Sequence, residues 1–299
     1  MKSLVRWGAT LGLIGSTLIG SLFWGDLKVF ALTQDEVVQK LRPIPVFIVA
    51  NPQSGELLVG RPSNPPSGNN AQNNISVARI FISRQDAQAF LDKLRTDRPE
   101  LGRNMQVIPR SLGELYLQAQ QNNNQSDRLV FDLVPVRQQV DSAVTLLRQS
   151  GQQENQFNGV PLFIARGGPD KGYITMQIPQ MGEQQIIPVF FSKEDAQNML
   201  NQFKQQNPQQ ASTTDIQVVN FEGMLQTLAS KNDAWLNQIV LIPPPEGREF
   251  LRTLQQQSGN QNQNRQGSPA NGNNATPNRN NNQSRPNPAS VPGNRPQNR

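Results

Sequence analysis

Two serine–aspartate pairs are the first residues in this chain that could do chemistry. Ser83 stands with Asp86 in FISRQDAQ (Phe81–Gln88), and Ser192 with Asp195 in FFSKEDAQ (Phe190–Gln197). A serine nucleophile needs a base to take its proton, and the sequence contains no histidine. It contains no cysteine either, so thiol catalysis, cysteine-ligated zinc and disulfides lack their parts. Carboxylate-only mechanisms remain, and Asp132 in LVFDLV is the acid most exposed to a shift in pKa if buried. The second half has no paired acid near Ile242, so a strand residue facing solvent accounts for Asp132 better. Gly167 and Gly168 in RGGPDKG suggest a phosphate loop, but no Lys-Ser or Lys-Thr pair follows and no helix opens there. A hairpin turn is the better reading.

The pairs make sense as helix starts. In each, an apolar run leads into a serine and then a pattern of helical period, with the acid three residues after the serine as in a capping box. Ala87, Phe90, Leu91 and Leu94 form one stripe, and Ala196, Met199, Leu200 and Phe203 repeat it. The surroundings repeat too: IPVFIVANPQSG with VPLFIARGGPDKG, MQVIPRSLGELYLQ with IQVVNFEGMLQTLA, and RLVFDLVP with QIVLIPPP. A unit of about a hundred residues has been duplicated whole.

Strands are expected over 45–50, 56–60, 77–82, 105–108 and 129–134, then 160–165, 172–178, 186–191, 215–219 and 238–242. NPQSG and RGGPDKG each join the first two strands as a hairpin turn. Helices follow both serine caps, and another in copy one starts at Ser111 with Glu114. One helix capped by Thr33 and Glu36 precedes copy one, and residues 137–149 form another, placed before copy two in the same way. A final helix lies near 248–255. The insert Arg61–Asn74 has no partner in copy two and reads as a loop. The expected fold class is α+β: two pseudo-symmetric repeats, residues 32–150 and 151–255, each a small sheet packed with helices.

The ends differ from this body. Lys2 and Arg6 precede an uncharged apolar run from Trp7 to Trp24, and Val29, Phe30 and Ala31 offer a small-residue cleavage site, so residues 1–31 read as a signal peptide cut after Ala31. No integral membrane segment is expected after that cut. From Gln256 to Arg299 the chain is Gln, Asn, Pro and Arg with almost nothing apolar, which reads as a disordered tail. The net charge of +6 divides into +2 before Leu32, +5 in this tail and −1 between. A basic tail on a near-neutral body argues against nucleic-acid binding by the folded part.

Apolar surface is what remains for function. Phe47, Phe81, Phe163, Phe190 and Phe191 are candidates to line grooves that hold apolar segments of other proteins. IPVFIVANPQSGELLVG, IFISRQDAQAFLDKL and IPVFFSKEDAQNML together resemble the intermembrane-space subunit of the chloroplast inner-envelope translocon, the twenty-two-kilodalton Tic component, and its cyanobacterial homologues, over roughly residues 33–254. The resemblance implies a protein without enzymatic activity or cofactor. It implies a role in protein transport and, in cyanobacteria, in outer-membrane biogenesis in the periplasm, with thylakoid association as an alternative. Its implied partners are unfolded outer-membrane precursors and an Omp85-type assembly factor. It carries over no single functional residue. A scaffold bridging assembly factors, or a binder of anionic polymer working through the tail, are the alternatives.

Overall fold

A computed structural model describes residues 11–14, 32–61, 75–122, 129–178, 184–231 and 233–266. Apart from Leu11–Ile14, the expected signal peptide lies outside the described residues, as do all but Arg61 of the expected loop insert and the tail beyond Gln266.

In chain order the elements are β1 (Leu11–Ile14), α1 (Gln34–Leu41), β2 (Pro45–Ala50), β3 (Val59–Gly60), β4 (Ser76–Phe81), α2 (Arg84–Asp97), α3 (Pro99–Gly102), β5 (Gln106–Ser111), α4 (Leu112–Asn122), β6 (Leu129–Val134) and α5 (Arg137–Gln149). The second copy continues with β7 (Pro161–Gly167), β8 (Gly172–Gln177), β9 (Gln185–Phe190), α6 (Lys193–Gln206), β10 (Asp215–Asn220), α7 (Phe221–Ser230), β11 (Ile239–Ile242) and α8 (Pro245–Gln266). Short 3-10 helices cover Pro208–Thr213 and Ala234–Gln238.

The duplication is visible in the pairing. The first sheet runs β5-β2-β4-β6, with β2 antiparallel to both neighbours and β4 parallel to β6. The second runs β10-β7-β9-β11 with the same directions. β2 and β7 are central strands, and PVFIVA is buried at every position, as a strand covered on both faces requires. The fold is therefore α+β, with two alike sheets.

Strand faces divide the core into three. Ile48, Ile80 and Ile82 of the first sheet meet Leu162, Ile164, Val189 and Phe191 of the second in one cluster, shared with α1, α4 and α7. Each outer face then has its own cluster, Phe47, Val49 and Phe81 under α2, and Phe163, Ala165 and Phe190 under α6. Where α1 crosses α4 the approach is close enough that a Cβ on Gly113 would lie 2.7 Å from the Val38 carbonyl oxygen.

The caps differ in detail from expectation. Thr33 and Glu36 close a full box, with the Thr33 amide donating to Glu36 Oε2 at 2.7 Å. Ser83 and Ser192 accept from the amides of Asp86 and Asp195 at 3.3 and 3.2 Å, but neither aspartate shows the return bond. Aspartate is one methylene shorter than the glutamate that completes the box at Thr33. Ser111 does not cap α4; its hydroxyl donates to the Arg42 carbonyl and ties α1 to that helix start. Its counterpart Asn220 does cap α7, accepting from Glu222 and Gly223.

The helix at 137–149 is also related differently. It is not the counterpart of α1. α5 and α8 each begin on the third residue after their strands, β6 and β11, and each crosses to the other half. α5 packs on β7, β10 and α6 of the second copy, where Ala143 and Leu146 join the outer cluster. α8 brings Phe250 edge-on to Phe47 of the first copy, with ring centroids 5.9 Å apart. α8 also continues through Gln266, past the expected boundary at 255 and into the glutamine- and asparagine-rich segment.

Candidate functional site

The two outer faces began as copies and are covered unequally. In the second copy Met199 and Phe203 on α6 are buried, at 6% and 2% exposure. Their counterparts in the first copy, Phe90 and Leu94 on α2, are only half-buried. A groove of about 480 Å³ opens between α2, α3 and the outer face of β3, β4 and β6.

Its floor is apolar: Val49 and Phe81 from the sheet, Leu58 from the turn before β3, and Phe90 and Leu94 from the helix stripe. The Phe81 and Phe90 rings meet at a tilt of 38°, with centroids 5.3 Å apart. Two of the chain's exposed large apolar side chains stand on its rim, Val59 at 46% and Leu101 at 43% exposure. Single exposed leucines need no explanation, but two beside a continuous apolar floor make a patch.

Charge lines one wall. Arg79 and Asp132 face each other across β4 and β6 and approach to 3.8 Å, both half-exposed. The Arg79 guanidinium also lies 5.4 Å from the centre of the Phe90 ring. Arg61 and Arg98 line the groove as well, so its rim carries more positive than negative charge. Asp132 is thus the solvent-facing strand residue the sequence suggested, and by register its counterpart is Val240, two residues before Ile242. In the second copy Arg79 is replaced by Pro188, which is buried. The second copy's outer face opens at a different place, in a more polar hollow of about 560 Å³ where Leu146 of α5, Leu200 and Lys204 of α6 and Asp215 and Ile216 of β10 meet.

Of the five phenylalanines named from the sequence, Phe81 lines this groove. Phe47 lies beneath the same face against Phe250, Phe163 and Phe190 pack in the second copy's outer cluster, and Phe191 packs at a tilt against Phe221 in the shared core. All five are buried, none more than 7% exposed. Sequence reasoning missed Val59, Phe90, Leu94 and Leu101 as one surface. Phe90 and Leu94 were recognisable as a helical stripe, but periodicity does not say whether a stripe is covered. Leu101 sits on α3, a single turn with no periodic signal.

A smaller apolar cleft of about 240 Å³ lies where the halves meet, between Leu115 and Tyr116 of α4, Phe131 of β6, and Phe221 and Leu225 of α7. Among the described residues no three acids, histidines or cysteines cluster as metal ligands. No helix among them is long and apolar enough to cross a membrane. Ser83 and Ser192 both accept from backbone amides as helix caps, and the Ser192 hydroxyl donates to Glu194 Oε2 at 3.0 Å.

A model of the Tic22-like family matches residues 12–256. A chloroplastic protein TIC 22 of Arabidopsis thaliana is 27% identical over 228 residues, covering 75% of this chain and 72% of that protein. Its Pisum sativum counterpart is 23% identical, over 75% of this chain and 78% of its own length. Among solved structures, Anabaena Tic22, described as a protein-transport protein, superposes with a TM-score of 0.67 at 41% identity, covering 74% of this chain and 97% of that one. Tic22 from Plasmodium falciparum shares the fold, with a TM-score of 0.52 at 18% identity, over 73% and 97%.

Proposed function

Since the chain belongs to the Tic22-like family, a family related to protein transport, we propose that it is a non-enzymatic, chaperone-like binding protein for unfolded clients. The single observation that carries this is the unequal covering of the duplicated face: Phe90 and Leu94 are only half-buried where Met199 and Phe203 are buried. An open apolar floor rimmed by exposed Val59 and Leu101 offers an extended client segment the burial that a folded protein does not need. Phe81 is the candidate ring at its base.

In this reading the clients are outer-membrane precursors met in the periplasm, and delivery is to an Omp85-type assembly factor. A signal peptide over residues 1–31 would bring the protein there. The basic arginines on the rim suit clients that carry acidic residues beside their apolar segments.

The test is an aggregation assay. The protein is expected to suppress light scattering by an outer-membrane protein diluted from urea. The double variant Val59→Asp with Leu101→Asp is expected to lose that suppression while keeping its thermal midpoint, because both side chains are exposed. No suppression by the unaltered protein, or equal suppression by the variant, would overturn the reading.

A further inference from the structure

We infer that the outer edge of β8 is a second client contact, a strand-addition site for an extended segment with apolar residues at alternate positions; this rests on the client-binding reading above. β8 lies at the side of the second sheet, and among the described residues it pairs on its outer edge with β1 alone. That partner is a segment of this chain's own expected signal peptide. It lies antiparallel over four positions, Leu11 opposite Met176, Gly12 opposite Thr175, Leu13 opposite Ile174 and Ile14 opposite Tyr173.

Among the described residues the centre of β8 has no other strand partner. On its inner side Gly172 and Tyr173 pair with β7, and Met176 and Gln177 pair with β9. Ile174 and Thr175, between them, have register partners only in β1. Both are buried, at 1% and 0% exposure, and buried backbone amides and carbonyls need partners. A chain cut after Ala31 would lose β1 and leave this edge open. An open edge recruits another strand through its backbone.

The chemistry of the occupant follows from the faces. Ile174 and Met176 belong to the apolar cluster with Phe163 and Phe203 on the outer face. Residues directly opposite them arrive on that same face and must be apolar. Thr175 points the other way and is spoken for by Gln185, to which its hydroxyl donates at 2.9 Å, so a small residue suits the position opposite. The segment LGLI meets both demands, with Leu11 and Leu13 at the apolar positions and Gly12 between.

The absence of native cysteine makes a direct test possible in the full chain. The pairs Gly12→Cys with Thr175→Cys, and Leu13→Cys with Ile174→Cys, are neighbours in the register, so one of them is the close, non-hydrogen-bonded type suited to a disulfide. Mild oxidation is expected to close at least one. Adding excess of a synthetic peptide of residues 9–16 is expected to lower its yield several-fold, and a version with proline in place of Gly12 is expected to do little. Failure of both disulfides, or a yield unchanged by the peptide, overturns the inference. The Val59→Asp, Leu101→Asp background separates the two readings: loss of aggregation suppression there with competition at β8 intact leaves the edge site standing alone.

Discussion

The guanidinium of Arg248 holds both carboxylate oxygens of Asp195, Nη1 to Oδ2 at 2.6 Å and Nη2 to Oδ1 at 3.0 Å. Asp195 belongs to the duplicated phrase that starts α6, and Arg248 lies in the first turns of α8. The carboxylate that sequence logic sends back toward Ser192 instead fastens α8, whose Phe250 then reaches the other sheet. One ion pair thus secures the crossing of α8 from the second copy to the first.

Replacing Arg248 by alanine is expected to leave the carboxylate of Asp195, 17% exposed, without its strongest partner. A lost charge-assisted bond at a part-buried site costs about 2 kcal/mol. Urea denaturation should show it as a lower midpoint. Arg248→Lys should recover part, since lysine supplies the charge without the fork.

The opposite crossing has its own fastening and its own pH dependence. Gln139 on α5 donates to Glu194 Oε2 at 2.9 Å and accepts from the Lys193 amide at 2.8 Å. Burial alone would raise the pKa of Glu194, but the Gln139 amide, its own backbone N–H, the Ser192 hydroxyl and Lys193 outweigh it and hold it below 4.5. A carboxyl with a depressed folded value gives stability that is present above 4.5 and lost as pH falls through that folded value. The stability difference between the unaltered protein and Gln139→Ala should therefore shrink on acidification through that window.

The two helix stripes should respond unequally to the same kind of truncation. Phe203→Ala removes a ring buried in the second copy's outer cluster and is expected to cost about 3–5 kcal/mol. Leu94→Ala in the open groove is expected to cost about 1 kcal/mol. Thermal melts of the pair measure this directly. A comparable loss at both sites would mean the groove is closed in solution.

Gly113→Ala adds a methyl where α1 and α4 touch, 2.7 Å from the Val38 carbonyl oxygen and 2.9 Å from the Arg42 nitrogen. Both contacts are backbone and cannot turn aside, so the helices must part. A loss of about 1–3 kcal/mol is expected, again by urea denaturation. Gly223→Ala, at a site with open space around it, is the matched control and should be close to neutral.

Local pattern was enough for most of the secondary structure. β2, β6 and α5 fall at the bounds read from alternation, helical period and turn residues, and the repeated phrase marks both helix starts that Ser83 and Ser192 cap. These signals lie within a few neighbouring residues, where sequence and conformation are directly coupled. The duplication itself is a property of the string, and from it two alike sheets follow.

What covers what was decided by tertiary packing. Phe90 and Met199 occupy the same place in the same stripe, yet one is half-open and the other buried, because burial depends on residues distant in sequence, such as Arg79 and Asp132 against Pro188 and Val240. The exchange of α5 and α8 between halves was equally hidden, since a helix pattern names its apolar face but not the sheet that receives it. Hydrophobic burial is non-directional, and only the assembled chain assigns each face its partner.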